Sequence, residues 1–303
     1  MNPRRLHAYL ILLVVSFIWG IAGVVIKYTL GALSPLTFLL YRFAIASLAG
    51  IITFAFFRFP IPKDKKILLY SLFYGFLTST VALGLLFLGI EETTAIDANL
   101  IAATAPITIA IAGAFYLKEH VTLREKIGIG IAFLGTIITI FEPVIRNGDG
   151  FSGLGGNLLV FASVLVGTAT AILAKILMRK EVSPIYLTNA SFIVGFLTTI
   201  PLAFLADSPS KIISSVTSAP FPYHLGVIYM ALISGTLAYT LWHKAEKTIE
   251  VGEVGLFAYL YPVFGTPLAV VWLKEKISTP FIIGAIVIAI GVLIAELKPK
   301  RQT

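Results

Sequence analysis

Long, mostly apolar runs recur along the whole chain, and the short segments between them hold most of its charge. Each run can cross a hydrocarbon core of about 30 Å as a helix rising about 1.5 Å per residue. The ten-residue alternation of a membrane barrel is absent, so helices are the spanning solution that remains. Ten spans are expected, at about 8–27, 35–57, 67–90, 94–117, 124–141, 154–178, 185–206, 224–243, 253–273 and 280–297. Ser34-Pro35 and Ser183-Pro184 read as an N-cap followed by proline at the first helical position. Thr122 with Glu125 fits a capping box before the fifth span. The expected fold class is all-α, a polytopic membrane protein.

The pattern repeats. A shift of 156 residues aligns spans three to five with spans eight to ten without a gap. Thr80 then meets Thr236, Ala82 meets Ala238, and Pro106 meets Pro262. Leu117-Lys118-Glu119 meets Leu273-Lys274-Glu275, while Gly128 and Gly135 meet Gly284 and Gly291. A shift of 149 brings Ser34-Pro35 onto Ser183-Pro184, and the seven extra residues fall in the 207–222 loop. Five spans per copy is an odd number, so the second copy must enter the membrane inverted. The expected architecture is ten transmembrane helices as a 5+5 inverted repeat, with units 1–147 and 148–303. Secondary transporters use this plan, because two similar halves can exchange conformations around a midplane site.

Composition agrees with lipid as the solvent. The chain is 58% hydrophobic and 13% charged, against about 25% charged in soluble domains. Its net charge of +8 sits in short loops and at the ends rather than on one basic face. Anionic lipid is therefore the expected electrostatic partner, and nucleic acid is not. Counted by alternate loops, 16 of the 23 Lys and Arg residues fall on the side of the N-terminus and five on the other. That bias predicts cytoplasmic N- and C-termini in a cell (inner) membrane. The first run follows Arg4 and Arg5 as a signal peptide would. It is too long for such a segment and has no clear cleavage site, so an uncleaved first helix is expected. The absence of cysteine excludes disulfides, thiolate catalysis and Cys-ligated metals.

Trp19-Gly20 with Lys27, then Ser34-Pro35 and Arg42-Phe43 with Ala46, resembles the opening of EamA-type members of the drug/metabolite transporter superfamily. Pro106 and Pro262, each followed by a glutamate (Glu119, Glu275) and a glycine-spaced helix, are similar to that family's repeated unit. The resemblance covers essentially the whole chain. It implies a ten-helix transporter with a central cavity between the halves, and relatives that export amino acids and other metabolites. The second half departs from the pattern, with Ser191 in the place of Arg42.

Arg42 is the strongest candidate for contact with substrate. An arginine at a helix centre costs about 2.5–3.5 kcal/mol on insertion scales. It must face a cavity, where it would bind an anionic group, or else snorkel or pair with a carbonyl. Lys175 shares a stripe with Ser163, Gly167 and Ala171, and either contacts substrate or snorkels. Lys27 reads as an interface anchor. Trp19, Tyr41, Tyr74, Tyr239, Trp242, Tyr259 and Tyr261 are the aromatic candidates near the cavity, although Trp242 and Trp272, at span ends, also fit an interface belt. Pro106 and Pro262 interrupt matching helices, the best sequence pointer to a transport site. Asp97 and Glu253 match under the same shift, and are either a pair of gates or acids favoured by a helix N-terminus.

Other chemistries find no support. Gly148, Gly150 and Gly153 match a dinucleotide fingerprint only by letters, with no strand before them. There is no Walker A lysine. The four histidines lack metal spacing, so no metal or cofactor is expected. Neither Gly-x-Ser-x-Gly nor a pair of membrane aspartates is present. The expected function is secondary transport of a small-molecule substrate, an exporter of metabolites such as amino acids working by alternating access. Import or exchange of another metabolite or drug-like compound uses the same architecture, and a membrane-embedded enzyme is the rival of a different class. Spans five and ten, short and glycine-bearing, are expected to brace the bundle or to make a homodimer contact.

Overall fold

The computed structural model describes residues 3–56, 61–116, 123–141, 153–249 and 254–296, and among them every regular element is helical. In chain order the first six helices are α1 (Pro3–Thr29), α2 (Pro35–Phe56), α3 (Lys65–Glu92), α4 (Ala95–Ala102), α5 (Ala105–Tyr116) and α6 (Leu123–Ile140). They are followed by α7 (Leu154–Arg179), α8 (Pro184–Ala206), α9 (Pro209–Ser218), α10 (Phe221–Thr248), α11 (Tyr261–Leu268) and α12 (Thr279–Glu296). Seven helices are long and apolar enough to cross a membrane, counting Ala95–Gly113 as one. Helices in the other three expected spans are shorter: Lys126–Ile140, Phe257–Leu273 and Thr279–Gly291.

The distribution of polarity is that of a protein in lipid. Leu10, Leu13 and Phe17 on α1, and Leu48, Ile51 and Ile52 on α2, are exposed. Buried instead are Ser16, Arg42, Ser79, Asn99, Thr188, Asn189 and Ser191. A water-soluble fold does the reverse. This chain is a polytopic helical membrane protein, with apolar surface outward and polar groups gathered within the bundle.

Local chemistry sets the helix ends. Asp64 accepts from the Lys66 amide, and Thr94 accepts from that of Asp97. Pro184 opens α8 at its first turn, but Ser183 makes no side-chain cap. Ser34 instead donates to Asp207, at the far end of α8. Asp207 also accepts from Lys211. That hydrogen bond holds its carboxyl below the usual range, helped by the ammonium's charge and by Ser34. Thr122 and Glu119 lie outside the described residues.

The helices pair along a consistent plan: α2 against α8, α6 against α12, α1 against α10, and α3 against α7. Two lysines hold equivalent pairs together. Lys27 on α1 donates to the carbonyls of Ile90 (2.8 Å) and Glu91 (2.9 Å) near the end of α3. Lys175 on α7 donates to the carbonyls of Glu246 (2.5 Å) and Ile249 (2.7 Å) at the end of α10. A helix C-terminus leaves carbonyls without internal partners and carries partial negative charge, so an ammonium there is stabilising.

Several helices are interrupted, and at matching places. Pro106 has no amide to bond the Ala102 carbonyl, and the chain turns at Ala103–Thr104 between α4 and α5. Ahead of Pro262 the chain winds as a tight 3₁₀ segment, Leu256–Leu260. Wide π-type turns occupy Phe76–Ala82 in α3 and Tyr229–Leu237 in α10. Such turns are frequent where a helix serves function.

Candidate functional site

The interrupted helices surround a cavity of about 250 Å³, just below the range usual for ligand pockets, about 300–1,000 Å³. Its walls come from α1, α3, the α4–α5 break, α7, α10 and the stretch before α11, with Arg42 as the contribution of α2. Ala102 and Ala105 flank the first break, and Gly255 and Ala258 line the second. Small side chains on both sides leave the space open.

Arg42 is 1% exposed. Its guanidinium carbon lies 5.7, 5.6 and 5.9 Å from the ring centres of Phe43, Phe87 and Phe192. Gly235, in the π turn of α10, packs beside it: a Cβ there would make an ordinary contact with Arg42 Nη2, at 3.5 Å. Nε and Nη1 are buried without a hydrogen-bond partner. Ring contacts contribute about 0.5–2 kcal/mol each, whereas each unsatisfied buried donor costs about 1–3 kcal/mol, more when charged. The aromatic cage therefore offsets part of the cost and leaves directed donors beside the cavity. Asn99 Nδ2 and Thr78 Oγ1, also on the wall, are likewise buried without partners.

A second polar group lies on α10. Tyr239, His243 and Glu246 follow at helical spacing and share one face toward the cavity. Tyr74 Oη and His243 Nε2 are 2.9 Å apart, and His243 Nδ1 and Glu246 Oε2 are 2.9 Å apart. Trp242 Nε1 donates to Glu246 Oε1 at 2.9 Å. The Glu246 side chain is 0% exposed and that of His243 3%. Trp19 stands beside this group, 5.0 Å from Tyr239 and 4.9 Å from Trp242 between ring centres. Its indole donates to the Ser234 carbonyl and so ties α1 to α10.

Of the residues expected at the site, the structure brings together Arg42, Trp19, Tyr74 and Tyr239 on the cavity wall. Tyr41 is elsewhere: its hydroxyl lies 3.2 Å from His224 Nδ1, tying α2 to the start of α10. Lys175 serves the α10 terminus described above and is not part of the wall. Tyr259 is not on the wall either, although its neighbours Ala258 and Tyr261 are. Pro106 and Pro262 open the helices that follow the breaks and do not line the space. Asp97 is buried in the first turn of α4. That helix is capped by Glu275, whose carboxylate accepts from the amides of Ala95 (2.8 Å) and Ile96 (3.0 Å). Glu253 lies outside the described residues.

Among the polar residues on the wall, Thr78, Asn99, His243 and Glu246 were missed by sequence reasoning. An expected span ending at 243 put Glu246 in a loop between Lys244 and Lys247, whereas α10 runs on to Thr248. The available signal was the spacing of Tyr239, His243 and Glu246, which a longer helix would have placed on one face. Trp242, for which cavity and interface belt were the two readings, lies on the cavity wall. Trp272 by contrast is 45% exposed and lies against Tyr28.

The sequence profile of the EamA-like transporter family matches residues 6–141 and again 154–297. The uncharacterized transporter YyaM of Bacillus subtilis is 26% identical, over 97% of this chain and 94% of its own. A protein of Salmonella typhimurium named "Probable amino-acid metabolite efflux pump" is 26% identical, over 96% of this chain and 94% of its own. One crystal structure superposes with a TM-score of 0.67 at 19% identity, covering 98% of this chain and 99% of that one, a likeness of fold.

Proposed function

The chain belongs to the EamA-like transporter family, and we propose that it is a secondary active exporter of small carboxylated metabolites such as amino acids. In this reading ten transmembrane helices form two inverted five-helix units, 1–147 and 148–303. Both termini are cytoplasmic in a cell (inner) membrane. The units rock about the central cavity to open it to either side. The twofold match of the family profile and the equivalent helix breaks support the repeat. The names of two relatives, from Salmonella typhimurium and Escherichia coli, support metabolite efflux.

One observation carries the substrate class: a buried arginine on the cavity wall with two nitrogens lacking partners. A planar guanidinium presents paired N–H donors that match a carboxylate. Desolvation in the cavity makes that match stronger than it would be in water. Tyr74, Tyr239 and Trp19 supply the surface on which the substrate's body rests. Asp97, Glu253, Pro106 and Pro262 act in gating rather than in contact with substrate, and α6 and α12 brace the bundle.

Counterflow in proteoliposomes, with a panel of labelled L-amino acids, tests this reading. Arg42→Ala should insert and fold yet lose transport by at least about tenfold, the worth of one charge-assisted contact. Undiminished counterflow by that variant would remove Arg42 from the site.

A further inference from the structure

A buried histidine–glutamate pair on the wall of a transport cavity is costly unless it has work to do, because desolvating ionisable groups in the membrane interior is unfavourable. Glu246 is fully satisfied, with one carboxylate oxygen held by Trp242 and the other by His243. His243 is held on both nitrogens, by Glu246 and by Tyr74. In the neutral imidazole Nδ1–H donates to Glu246 and Nε2 accepts from the Tyr74 hydroxyl. Adding one proton at Nε2 requires the Tyr74 hydroxyl to become the acceptor and to turn its own hydrogen elsewhere. Thr78, one turn along α3, has a buried hydroxyl on the cavity wall without a partner. It is placed to receive that hydrogen.

Glu246 is the one carboxylate among the described residues lining the cavity. Among the described residues, the titratable or charged groups brought toward the pair include Tyr9 on α1, Arg42 on α2, Tyr74 on α3 and Tyr261 at the start of α11. To these α7 adds Lys175, α8 adds Tyr186 and α10 itself adds Tyr239. Lys175 donates to the backbone carbonyl of Glu246. Glu246 is thus the counter-charge nearest the imidazole, and Arg42 is the other charge on the cavity wall.

We propose that His243, held by Glu246 and Tyr74, is a proton-binding site of this cavity, and that its proton and the ammonium group of an amino-acid substrate exclude one another. This rests on the transport reading of the same cavity. With the imidazole neutral, Arg42 and Glu246 balance. With it protonated, the walls carry a net charge of one positive unit, which opposes an incoming ammonium. The effect is reciprocal, since a bound ammonium lowers proton affinity by the same factor. Proton uptake from the more acidic side then expels substrate there, which is antiport. The proton enters from water and leaves to water, with no other bond made or broken.

Two measurements on the intact purified protein test this. Trp242 touches Glu246, so tryptophan fluorescence should respond to pH across the interval in which histidines in general change charge, about pH 5 to 8. The titration should vanish in His243→Gln and Glu246→Gln, shift its midpoint in Tyr74→Phe, and persist in His224→Gln. In proteoliposomes, exchange of a labelled L-amino-acid mixture should slow about tenfold from pH 8 to pH 6, and in His243→Gln it should no longer respond to pH. An unchanged titration in His243→Gln, or wild-type exchange indifferent to pH, overturns the proposal. A titration lost in His243→Gln, with no amino acid moved by the wild type, supports the proton site and counts instead against the transport reading.

Discussion

Gly135 backs directly onto Gly284, so that a Cβ on Gly135 would lie 2.8 Å from the Gly284 carbonyl oxygen. The contact has a counterpart: a Cβ on Gly291 would lie 2.6 Å from the carbonyl of Gly128. Gly128 and Gly135 are the positions that a shift of 156 carries onto Gly284 and Gly291. Reciprocal contacts of this kind mark a two-fold relation between the partners, as inverted units would have. They also give α6 and α12 a role within one chain, since close backbone approach is how helices associate in lipid. Gly135→Leu should therefore cost about 1–3 kcal/mol, the range for overpacking. Gly130→Leu, where a Cβ meets nothing within 4 Å, should be near neutral. Thermal unfolding of both variants in the same detergent decides it, and equal melting points would argue against the seam.

Much of this seam was legible in the sequence, because small residues at fixed spacing in an apolar helix have few other uses. The helix breaks were legible too, since proline's missing amide acts locally. Contacts set by which helix packs against which were not. Lys175 and Lys27 read as snorkelling or interface charges, and only the packing of α7 on α10 and of α1 on α3 supplies the carbonyls they bind. Glu246 was hidden because flanking lysines resemble a cytoplasmic loop, while its own side chain points into the bundle. Arg42 was found because an arginine in an apolar run is costly wherever it points, and that cost needs no fold to be seen.

That cost predicts a trade between stability and function at Arg42. With Nε and Nη1 unsatisfied, an apolar side chain of similar length should suit the empty protein better. Arg42→Met should melt at or above the wild-type temperature, by up to about 1–3 kcal/mol, the penalty of an unsatisfied buried donor. It should bind no carboxylated substrate. A variant that melts well below wild type would show that the guanidinium holds the bundle together instead.

Lys27 and Lys175 should behave alike. Each ammonium bonds two carbonyls near a helix end, and hydrogen bonds to a charged group contribute about 1.5–3 kcal/mol each. Lys27→Met and Lys175→Met should both lower the melting temperature by comparable amounts. Neither should change the affinity for substrate measured by thermal shift. A selective loss of affinity in Lys175→Met would return that residue to the cavity.

Pro106 separates two effects that a binding residue would mix. Alanine at this position restores the amide that the Ala102 carbonyl lacks, and so favours a continuous helix through Ala103–Thr104. Ala102 and Ala105, on either side of the break, line the cavity, but Pro106 itself does not. If the break is where the helix bends between outward- and inward-open forms, one backbone hydrogen bond of about 0.5–1.5 kcal/mol shifts that balance by a few-fold to about tenfold. Pro106→Ala should therefore slow exchange by that factor while substrate affinity stays within about twofold. Pro262→Ala should do the same through the segment Leu256–Leu260, and the double variant should show the product of the two effects if the breaks act independently. Rates untouched in both single variants would mean that the prolines shape the cavity and take no part in its opening.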